Sequence, residues 1–137
     1  SNHQIEVIQN DDNLRTNFHG IRFNGRIRAD QVSADNSAYG FVGVMCIDNE
    51  GTAVPVLTTE SSLNNNFQYI IAVKQWSVYG GSSNPVGEGS IFDYDFDIKT
   101  SRTCPKGGRL IGFVSSSASS SKNVVVHQLL STFETQA

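Results

Sequence analysis

Three aspartates at alternate positions, Asp93, Asp95 and Asp97, form the densest group of chemically capable side chains in the sequence. On an extended strand, residues i and i+2 stand about 7 Å apart on one face, which suits a glycosidase carboxylate pair or oxygen ligands for calcium. An acidic stripe of this kind also serves as a solubilising surface or as half of a subunit contact. The surface or contact reading is preferred, calcium comes second and catalysis last.

The cationic counterpart is Arg15, Arg22, Arg26 and Arg28, all arginine, drawn from a total of ten Lys and Arg. The guanidinium fork matches phosphate and carboxylate oxygens in pairs. These residues are therefore read as a subunit interface or a nucleic-acid-binding face, against the plainer reading of a solvated strand face. Acidic and basic stripes on different strands of one chain are what a self-complementary assembly requires.

Other chemistry finds little support. His3, His19 and His127 show no HxH or HExxH spacing, and no GxSxG nucleophile turn is present. Gly87-Glu88-Gly89 lacks the Lys and following helix of a phosphate loop. Cys46 and Cys104 lack CxxC spacing, and they are expected to be free thiols in a reducing compartment, a disulfide being the alternative. Trp76, between Gln75 and Ser77, is read as a core residue and not a ligand platform. No enzyme is expected.

Stripes need strands to carry them, and period-two alternation runs through most of the chain. In 19–29, Ile21, Phe23 and Ile27 oppose Arg22, Asn24, Arg26 and Arg28. In 91–98, Phe92, Tyr94, Phe96 and Ile98 oppose Ile91 and the three aspartates. Residues 39–47 are apolar on both faces, as in a strand buried between two layers. Further strands are predicted over 67–79, 109–114 and 124–133, with a weaker one near 5–8. The stretch 52–66 reads as a long loop holding a short strand through Val54–Leu57 in part and a helical turn through 59–63. Loops are expected at 80–85, 103–108 and in the serine-rich run 115–121.

About eight strands with long connections predict an all-β, eight-stranded jelly roll of two antiparallel sheets in Greek-key order, with little or no helix. The chain has 137 residues, enough for one domain, taken as 15–137 after an N-terminal extension or arm remnant over 1–14. Charged residues are only 17% and the formal net charge is −3, so the domain as a whole is no basic polyanion binder. No apolar run approaches the roughly 20 residues of a membrane-spanning helix, and no membrane partner is expected.

From 67 to 137 the order of elements resembles the closing strands of single jelly-roll capsid proteins from small icosahedral viruses, either circular single-stranded DNA viruses or satellite-type viruses. The resemblance lies in the Trp76 strand, the glycine-rich loop, Ile91-Phe92-Asp93-Tyr94-Asp95-Phe96-Asp97-Ile98-Lys99-Thr100-Ser101-Arg102, the Lys106-Gly107-Gly108 turn, the apolar strand 109–114, the serine loop and the terminal strand. It implies a coat protein of the virion that self-assembles, in about sixty copies for a domain this short, around a genome held by electrostatics. Such proteins usually carry an Arg/Lys-rich arm, whereas Ser1 to Leu14 holds Glu6, Asp11 and Asp12 and no Lys or Arg. An arm is therefore expected upstream of Ser1, with no cofactor unless calcium binds. The alternative is a non-viral jelly-roll module that binds carbohydrate or a receptor, with Asp93, Asp95 and Asp97 or Asn- and Ser-rich loops at its site.

Overall fold

The computed structural model describes residues 2–9, 20–31, 38–47, 51–78, 89–98, 104, 108–116 and 124–136. Seven strands are formed among them: β1 (Asn2–Gln9), β2 (Gly20–Gln31), β3 (Ala38–Ile47), β4 (Ile70–Val78), β5 (Gly89–Ile98), β6 (Arg109–Ser115) and β7 (Val124–Gln136). They make a four-stranded sheet in the order β1-β6-β3-β4 and a three-stranded sheet in the order β5-β2-β7, every pairing antiparallel. Three of the pairs are nested in sequence: β3 with β4, outside it β2 with β5, and outside that β1 with β6. The chain thus runs as one long two-stranded ribbon that turns between β3 and β4 and crosses repeatedly from sheet to sheet. Strand β7 adds to the free side of β2 over twelve register positions, from Gly20↔Gln136 to Gln31↔Val124.

The alternating side chains fill the space between the sheets. Phe23, Ile27 and Ala29 of β2, Tyr94 of β5, Val42, Val44 and Cys46 of β3, Trp76 and Val78 of β4, and Leu110 and Val114 of β6 form one buried cluster with Cys104. Each large aliphatic or aromatic side chain moved from water into such a cluster stabilises the fold by roughly 1.5–3 kcal/mol. The second face of the four-stranded sheet is covered as well. Phe41, Met45, Ile47, Ile70, Ile111 and Phe113 pack there with Leu57, and Val54, Leu63 and Tyr69 close over them. This cover is the link between β3 and β4, and it explains why β3 is apolar on both faces.

Within that link a short helix, α1 (Glu60–Asn65), starts at a capping box: Ser62 N donates to Thr59 Oγ1 at 3.1 Å and Thr59 N donates to Ser62 Oγ at 2.9 Å. Residues 53–58 form no strand, although Val54, Val56 and Leu57 have strand character. The segment lies across the sheet face and contains Pro55, so its backbone joins no ladder. One expected strand is therefore a cover loop, and Phe67–Tyr69 is a 3-10 turn leading into β4 at Ile70. Of the span 1–14 set apart as an extension, Asn2–Gln9 is β1 and pairs with β6 from Asn2↔Ser115 to Gln9↔Arg109.

A tight knot joins β3, β4 and β6. Trp76 Nε1 donates to the Ser115 carbonyl at 3.1 Å, and the Phe41 amide donates to Ser115 Oγ at 3.1 Å. Ser115 is the buried polar side chain among the described residues, and these contacts engage both its carbonyl and its hydroxyl. A Cβ built on Gly40 would lie 1.9 Å from the Ser115 carbonyl oxygen and 2.5 Å from the indole ring, so the backbone approaches here in a way only glycine allows.

The cysteines correct the sequence reading. Cys46 and Cys104 form a disulfide with Cα atoms 5.5 Å apart across a sequence separation of 58. Their separation in sequence and dissimilar neighbours gave no hint of this. Cys46 lies near the end of β3, paired with Leu110 of β6, and Cys104 lies in the segment that leads into β6. Pairing β3 with β6 is what brings the two residues together.

Candidate functional site

The candidate site is the outward face of β5 and β2. Their register sets Arg22 opposite Asp97, Asn24 opposite Asp95, Arg26 opposite Asp93 and Arg28 opposite Ile91, while Phe23↔Phe96 and Ile27↔Phe92 are the inward pairs. Because Phe23 and Tyr94 must face the core, alternation forces the arginines and aspartates onto one common outer face. The stripes that the sequence places on different strands are therefore neighbours within one chain.

Two of the arginines are paired with two of the aspartates. Arg26 Nε donates to Asp93 Oδ1 at 2.6 Å and its Nη2 to Asp93 Oδ2 at 3.4 Å, a bidentate contact to its register partner. Arg22 reaches diagonally past Asp97 to Asp95, with Nε donating to Oδ1 at 2.7 Å and Nη2 to Oδ2. Lys74 of β4, which the sequence reading had not singled out, donates through Nζ to the Asp93 carbonyl at 2.7 Å and ties the two sheets together along this flank. No one-dimensional pattern marks it, because the contact joins strands of different sheets.

The electrostatics follow from these contacts. Hydrogen bonds from Arg26 hold the Asp93 carboxyl below its ordinary value of 3.8, with the charges of Arg26 and Lys74 adding to the effect and partial desolvation opposing it. Arg22 lowers Asp95 in the same way, and Asp93 in turn raises Arg26. The side chains of both pairs are about half exposed, from 44% for Arg22 to 68% for Asp93, so water and salt screen them. Arg22, Arg26 and Arg28 share the face with Asp93, Asp95 and Asp97, and these six side chains together carry no net charge. The face therefore differs from the cationic strip that β2 suggests when read alone.

For calcium, Asp93 and Asp95 already have their carboxylate oxygens engaged by guanidinium groups. Among the described residues no three His, Cys, Asp or Glu side chains come together in a group that could hold a metal ion. Arg15 lies outside the described residues, as do His19, Gly87 with Glu88, and most of the expected loops at 80–85, 103–108 and 115–121. Trp76 is buried in the inter-sheet cluster. Compared with protein-family models, curated proteins and solved structures, the chain finds no match.

Proposed function

We propose that this chain is a viral coat protein with a jelly-roll domain, whose activity is self-assembly into a small icosahedral shell around the genome. The observation that carries the reading is the nested ribbon: pairs β3–β4, β2–β5 and β1–β6 wound into a two-sheet sandwich. A jelly roll is such a ribbon with four nested pairs, an architecture frequent in capsid and lectin domains. In that scheme β7 stands where the outgoing arm of the ribbon continues beyond β6, and an eighth strand has its place on the side of β7 away from β2.

Both faces of β3, β4 and β6 are packed by the chain's own residues, and on the other sheet Arg22 and Arg26 are paired in cis with Asp95 and Asp93. The contacts between subunits then fall to loops and sheet edges. Genome packaging rests on basic residues outside the paired ladder.

Size-exclusion chromatography with light scattering, read at 260 and 280 nm, tests the reading. A megadalton-scale peak with an elevated 260/280 ratio is expected. A monomer or trimer that stays small across concentration and salt, and binds glycans or calcium, would replace the coat reading with that of a binding module.

A further inference from the structure

We propose that Cys46 and Cys104 form a maturation lock: the sandwich folds with free thiols, an oxidant then closes the disulfide, and burial protects the bond afterwards. Three observations support the order of events. The two residues are separated by 58 positions, so in the open chain their encounter carries a large loop-closure cost. Cys46 is placed by the β3–β6 ladder, which runs without a break from Val42↔Val114 to Ile47↔Arg109 and does not depend on the bond. Both cysteines belong to the inter-sheet cluster, Cys104 fully buried and Cys46 8% exposed, and a thiol packs in such a place as a small apolar group.

The reaction is thiol–disulfide exchange. The thiolate of one cysteine attacks a small-molecule disulfide such as oxidised glutathione and displaces one thiol. The second cysteine then attacks the mixed disulfide and displaces the other, so two protein thiols are oxidised and one small disulfide is reduced to two thiols. Persistent bonds of this kind are made in oxidising surroundings, so the proposal places the closing step after the chain leaves a reducing compartment. Closure and its reversal by a dithiol both need local opening of the core, because the small-molecule disulfide or thiolate must reach one of the buried sulfurs; once closed, the bond also holds the core against that opening.

The test uses the whole chain, prepared reduced. Its far-ultraviolet circular dichroism should show the same β signal as the oxidised chain. Exposure to oxidised glutathione should give one intrachain bond, Cys46 to Cys104 by peptide mapping, and lower the unfolding equilibrium constant about a thousandfold. Once closed, the bond should be reduced by dithiothreitol at least about a hundredfold more slowly in buffer than in denaturant. A paired variant, Cys46→Ala with Cys104→Ala, should fold and show none of these redox effects; if it does not fold, the reduced natural chain supplies the comparison. A reduced chain without β signal would overturn the proposal, since the bond would then be a condition of folding. Thiols that stay free after prolonged oxidation, or a closed bond reduced as fast in buffer as in denaturant, would overturn it equally.

Discussion

Replacing Gly40 with alanine tests the packing where β3, β4 and β6 meet. The new methyl would start 1.9 Å from the Ser115 carbonyl oxygen and 2.5 Å from the Trp76 ring, whereas ordinary van der Waals contact begins at 3.4 Å. The Ser115 carbonyl must retreat by about 1.5 Å, the difference between the contact distance and the built one. That carbonyl accepts from the indole N–H, and the Ser115 hydroxyl accepts from the Phe41 amide, so the movement strains both bonds. Overpacking costs about 1–3 kcal/mol, and a buried indole N–H left without its acceptor costs about 1–3 kcal/mol more. We expect Gly40→Ala to lose about 4 kcal/mol in urea unfolding and to melt roughly 10–20 °C lower. A second variant, Gly40→Ala with Trp76→Phe, should lose less than the sum of its parts, because the smaller ring vacates the space the methyl needs. A loss within about 1 kcal/mol of the parent would refute the reasoning, since the close approach would then be relieved without cost.

Other perturbations bear on the bond and the ladder. Removing the disulfide by Cys46→Ala with Cys104→Ala should lower stability by about 4 kcal/mol in non-reducing urea melts, from the closure entropy of a loop of 58; the deficit should shrink against reduced parent protein. Arg26→Asp sets a second carboxylate against Asp93, and adding Asp93→Arg should restore the melting temperature by re-forming the pair in reverse. If the swapped chain is stable yet forms no particles, Arg26 serves assembly beyond its cis pair. Because Asp93 and Asp95 titrate below 3.8 when folded, their contribution is fully present above 3.8 and is lost as pH falls through the lower folded values. Thermal melts taken down to about pH 2 should show that acid-side loss, and Asp93→Asn with Asp95→Asn should reduce it.

Much of the fold was legible along the chain. Alternation is a local property, so 20–29, 39–47 and 91–98 announced strands and the faces that each would bury, and the apolar character of 39–47 on both sides announced a layered position. The acidic and basic stripes were equally plain, since each lies on one strand. What period two leaves open is which strand lies beside which. Register put Arg26 against Asp93 and set the acidic and basic stripes side by side on one face, and only pairing across strands can do that.

The sequence by itself determined the β class, the inward aromatic faces and the chemical identity of the outer stripes, because side-chain polarity and a two-residue repeat are sufficient for these. Tertiary structure alone decided that Asp93 and Asp95 bond to arginines of the same chain, that Lys74 closes the flank beside them, and that 51–69 covers the four-stranded sheet. It also decided that Cys46 meets Cys104, across 58 residues of chain. These are contacts between residues far apart in sequence, fixed by the order and register of the strands, and no local pattern encodes that order.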